Sequence, residues 1–108
     1  MEKVQLPEVL REALDYLEGK SLDEKLARLV ASDLKRRLQI CFQRIVDFEA
    51  KYGMEFDRFA QAWQAGEIPS PYSYEVEHDY MEWESVVDEF KQLLSYLRRL
   101  KRRPSPSQ

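Results

Sequence analysis

The sequence predicts an all-α fold: an antiparallel hairpin of two long, coiled-coil-like helices, with a short N-terminal helix and a short helix near the hairpin turn. Three observations carry this reading. Apolar residues recur at spacings of three and four along most of the chain, the period of one helix face. Glycine occurs at three positions, Gly19, Gly53 and Gly66, each just after such a run. The runs ending at Tyr52 and beginning at Val76 are long, and a proline-containing connection lets one fold back on the other.

Length and charge set the frame. A chain of 108 residues supplies one core and too little for a second, so residues 1–103 are expected to form a single helical domain and 104–108 a disordered tail. Every apolar run is interrupted by charge well short of a membrane span of roughly 20 residues. Cys41 stands alone and the first ten residues lack a signal-peptide pattern, which points to a cytoplasmic protein. The net charge of -3 is unevenly spread: residues 54–97 hold ten acids and two bases, whereas 98–103 hold five bases. The acidic stretch is a candidate surface for a basic partner.

Leu6, Val9, Leu10, Ala13, Leu14 and Leu17 give the first helix, with Pro7 at its start and Gly19 at its stop. Ser21-Leu22-Asp23-Glu24 is a capping box opening the second, whose stripe is Leu26, Val30, Leu34, Leu38, Cys41, Ile45, Phe48 and Tyr52. Its roughly 31 residues span about 46 Å. Gly53 fits a left-handed stop, after which Phe56, Phe59, Ala60 and Trp63 mark a short helix that ends at Gly66. Ile68-Pro69-Ser70-Pro71 is expected to be extended. The last helix, expected from about Asp79 to Arg103, carries a seam of Tyr80, Trp83, Val87, Phe90, Leu94 and Leu97. A second apolar column at Val86, Leu93 and Leu100 is read as an outer face for a partner. The first helix is expected to complete a three-helix layer.

The densest chemistry lies between Tyr72 and Glu84. Tyr72, Tyr74, Glu75, Glu77, Asp79, Glu82 and Glu84 combine aromatic contact area with carboxylates that steer a basic partner, and with Val86, Leu93 and Leu100 they form the candidate binding set. In a bland reading Asp79, Glu82 and Glu84 are first-turn acids that complement the helix dipole, while Tyr80 and Trp83 are core. A metal reading would use Glu75-x-x-His78 or the His78 and Glu82 pair, but a carboxylate site needs a second copy and no other histidine exists. No glycine-flanked serine, phosphate loop or Cys–His arrangement argues for catalysis, so neither an enzyme nor a cofactor is expected. Nucleic-acid binding is the rival class, resting on Arg98, Arg99, Lys101, Arg102 and Arg103 with Lys35, Arg36 and Arg37. A structural homodimer through the widened stripe of the last helix is a further alternative.

Two segments, Phe48 to Phe59 followed by Trp63 and Gly66, and Tyr74 to Glu84 with its Asp79-Tyr80-x-x-Trp83 core, carry a family resemblance. They resemble a family of small uncharacterised prokaryotic helical proteins often encoded beside a small protein resembling TumE-type toxins. The resemblance covers about a third of the chain and implies an antitoxin-like role with a protein partner. It supplies no catalytic residues. Residues and resemblance together lead to the expectation of a non-enzymatic interaction protein that binds a basic protein, such as a TumE-like toxin encoded nearby.

Overall fold

The computed structural model describes residues 6–17 and 19–102, which form α1 (Glu8–Tyr16), α2 (Leu22–Tyr52), α3 (Phe56–Gln64) and α4 (Tyr74–Lys101). The hairpin is the architecture. α2 and α4 run antiparallel along their lengths, with Phe42 beside Phe90, Phe48 stacked on Trp83 at 5.4 Å, and Tyr52 bonded to Asp79. The molecule is elongated, 57 by 29 by 28 Å.

The stops and starts of α2 follow from local chemistry. The Ser21 hydroxyl accepts from the Glu24 N–H at 3.1 Å, while a Glu24 carboxylate oxygen accepts from the Lys20 N–H at 3.2 Å. The reach back thus goes one residue further than a strict capping box. Gly53 ends the helix at φ 69°, a left-handed conformation that an L side chain resists, and its N–H bonds to the Glu49 carbonyl.

Trp83 and Phe59, both fully buried, centre the core with Phe48 and Ile68; Tyr52, Phe56, Trp63 and Tyr80 pack around them. α3 lies across the closed end of the hairpin, and its rings bridge α2 to α4. The Trp83 indole N–H is buried there without a hydrogen-bond partner, an unusual cost for a core position.

Five expectations change. α4 begins at Tyr74, five residues before Asp79, because the Ser73 hydroxyl accepts from the Val76 N–H and caps it there. At its other end α4 runs to Lys101; Arg103 and the 104–108 tail lie outside the described residues. The Ile68–Pro71 connection is not extended: Ser70 adopts φ 49°, the Ser73 N–H bonds to the Ser70 carbonyl, and Ile68 is drawn into the core. The second column points inward, since Leu93 is buried and Val86 and Leu100 are half-buried. Spacing explains this: Asp79, Trp83, Val86, Phe90, Leu93, Leu97 and Leu100 form one heptad seam toward α2, and Tyr80 turns aside to α3. On α2 the seam begins at the half-buried Ala27 and Ala31, which leaves Leu26 and Val30 in water. Finally, α1 does not complete a third layer: Leu14 is buried, yet Val9 and Leu10 are exposed and no extensive packing joins α1 to the hairpin.

Candidate functional site

The first turns of α4 meet the last turns of α2 in a polar cluster that sorts the acids into two groups. Asp79, at a seam position, is the one charged side chain buried among the described residues. It accepts from Lys51 Nζ at 2.6 Å and from the Tyr52 hydroxyl at 2.5 Å. Burial pushes the Asp79 carboxyl up, but the bonds from Lys51 and Tyr52 outweigh it and hold it below the ordinary aspartate value. The Tyr52 phenol is pushed up to about 12 by burial and by its bond to Asp79.

Lys51 also reaches Glu75 at 2.7 Å, and Arg44 pairs with Glu82 while lying over the Phe48 ring. Glu82 therefore has its charge largely answered from α2, as does Asp79. His78 Nδ1 stands 3.7 Å from the other Glu82 oxygen, and its ring stacks with Tyr74. Among the described residues no three of His, Cys, Asp and Glu gather as metal ligands.

The second group faces away from α2. Tyr74, Glu77, Met81, Glu84 and Asp88 follow at spacings of three, four, three and four, a single stripe along the outer side of α4, and all are exposed. Tyr74 is 85% exposed and Met81 70%. Tyr72, 82% exposed, lies just before α4, its ring T-shaped to Trp63 of α3 with centroids 6.4 Å apart.

The fold thus brings Tyr74, Glu77 and Glu84 onto one face of α4, with the exposed Tyr72 just before the helix and Glu75 turned to Lys51 of α2. Asp79 and Glu82 are turned to the hairpin contact, and Leu93 lies inside it. Met81 and Asp88 join the surface, although the sequence reading did not select them. The signal was their place in the Tyr74-Glu77 register, which is visible only once the helix is known to start at Tyr74.

The basic residues are more dispersed. Arg36 and Arg37 both pair with Asp33, at 2.9 and 2.8 Å, Arg99 lies over the Tyr96 ring, and Arg98 and Lys101 border a groove at the open end of the hairpin. Cys41 is buried in the hairpin seam, where burial and the nearby Glu89 carboxylate push its thiol up. Among the described residues no helix is long and apolar enough to cross a membrane. Compared with protein-family models, with curated proteins and with solved structures, the chain matches none.

Proposed function

We propose that the chain is a non-enzymatic interaction protein that binds a basic protein through the outer stripe of α4 and the neighbouring Tyr72. The observation that carries this reading is a pair of tyrosines, each more than four-fifths exposed, next to the exposed carboxylates Glu77, Glu84 and Asp88 on the outer side of α4. Tyrosine contributes wide contact area at small conformational cost, and Met81 adds an adaptable apolar contact. Glu77, Glu84 and Asp88 speed encounter with a positive surface and disfavour an acidic one.

The resemblance of the Phe48–Glu84 region supports a more specific form, in which the partner is a nucleic-acid-handling protein similar to TumE-type toxins and the chain acts as its antitoxin. Such a partner presents the basic surface that this stripe complements. Co-expression with the product of the adjacent reading frame tests it. The expected result is a co-purifying complex that Tyr72→Ala with Tyr74→Ala dissociates. A partner that still binds this double variant, or no complex and no relief of toxicity, removes the proposal.

A further inference from the structure

At the open end of the hairpin, α4 covers one side of α2, yet the first turns of α2 are apolar on others. Leu22, Leu26, Leu29 and Val30 remain 43 to 51% exposed. α1 adds to the same end: Val9 is 70%, Leu10 50%, Tyr16 91% and Leu17 39% exposed. Together these side chains expose several hundred Å² of apolar surface on α1 and α2, the scale on which each partner contributes to a standard interface, ~800 Å².

Beside them a groove of about 540 Å³ opens between the start of α2 and the end of α4, floored by Ala27, Ala31, Leu94, Leu97 and Leu100. Its rim carries Lys35, Arg98 and Lys101, together with Arg28, which pairs with Glu24 at 3.5 Å. The occupant such a groove suits is a short amphipathic helix with acidic flanks. The chain carries one. α1 has Glu8, Glu12 and Asp15 against Arg11, and exposed apolar residues at Val9, Leu10 and Ala13, with Leu17 exposed just after its end. Its nine residues run about 13.5 Å, and the stretch of α2 from Glu24 to Lys35 that lines the groove runs about 18 Å.

Among the described residues none of α1 lines that groove. The last turn of α1 lies against Lys25, Arg28 and Leu29, with Lys25 Nζ donating to the Asp15 carbonyl at 3.4 Å. The turn before α2 passes through Gly19 at φ 141°, where a Cβ would meet Lys25 Cγ at 2.7 Å. We therefore propose that the groove takes α1 of a second copy and that the exchange is reciprocal, which makes the protein a dimer joined at the open ends of two hairpins. This surface is separate from the outer stripe of α4, so a dimer still presents two such stripes.

Sedimentation of the full chain from roughly 1 to 500 µM covers the affinities that interfaces of this size reach at their weak end. The expected result is a monomer–dimer equilibrium that weakens with salt and is weakened at least tenfold by Leu10→Glu, a change at an exposed site that leaves the helical circular dichroism intact. Arg98→Glu with Lys101→Glu weakens it similarly from the other side. Mixing these two variants separates exchange between copies from folding back: one variant keeps a sound groove and the other a sound α1, so together they regain a heterodimer with one working contact. A monomer at every concentration, whether the groove takes its own α1 or a foreign partner, overturns the proposal. So does a dimer indifferent to Leu10→Glu.

Discussion

Removing the Asp79 carboxylate separates the structural acids from the displayed ones. In Asp79→Ala, Lys51 keeps Glu75 and is 44% exposed at its side chain, so its share of the loss is small. Tyr52 is different: its hydroxyl sits in the aromatic cluster and loses the acceptor it holds at 2.5 Å, leaving a half-buried donor unmade at about 1 to 3 kcal/mol. A loss of that size lowers the melting temperature by roughly 5 to 20 °C for a domain of about this length. Urea unfolding followed by tryptophan fluorescence measures it, because Trp83 packs on Tyr52 at 5.8 Å. Adding Tyr52→Phe to Asp79→Ala removes the orphaned hydroxyl and recovers part of the loss, a coupling the double-mutant cycle reads directly. Glu77→Ala, two residues away on the exposed stripe, stays within about 0.5 kcal/mol. Equal costs for Asp79→Ala and Glu77→Ala would refute the division of the acids.

The same contact contributes one limb at each end of the pH profile. Asp79 lies below its ordinary 3.8 in the folded state, so its contribution is present above that value and is lost as the pH falls through the lowered one; Asp79→Asn removes this acid limb from a stability profile. Tyr52 rises from 10.0 to about 12, so its contribution is complete below pH 10.0 and is lost as the pH rises through about 12, a limb that Tyr52→Phe abolishes. Trp83→Ala costs about 3 to 5 kcal/mol in urea unfolding, whereas Trp83→Phe costs less because it also deletes the unpartnered indole N–H. Cys41, buried with its thiol pushed up, reacts slowly with a disulfide reagent in the native protein and fast in denaturant.

The elements whose ends are set by local chemistry were legible in the sequence. Ser21 and Gly53 bound α2 because a hydroxyl cap and a left-handed glycine act within a few residues. The start of α4 was obscured because Glu75, Glu77 and His78 give its first turn no apolar period, and its cap, Ser73, lacks the glutamate three residues on that marks a capping box.

The seam register was hidden by Asp79. A charged residue at a core position breaks an apolar pattern, so the stripe through Tyr80 looked continuous while the true seam did not. What makes Asp79 acceptable there is Lys51 and Tyr52, 28 and 27 residues earlier in the chain, and no local pattern encodes that meeting. The displayed surface inherits the same difficulty, since Glu75, Glu77, Asp79, Glu82 and Glu84 are alike by composition. Only the helix phase assigns Glu77 and Glu84 to solvent, and Asp79 and Glu82 to α2.

Titration calorimetry of the purified chain against the product of the adjacent reading frame, at low and high salt, tests the proposed role of that solvent-facing stripe most directly. The expected binding weakens with salt, falls at least tenfold with Tyr72→Ala and Tyr74→Ala together, and also falls with Glu77→Lys and Glu84→Lys at unchanged helical content. Binding that is indifferent to all four positions would contradict it.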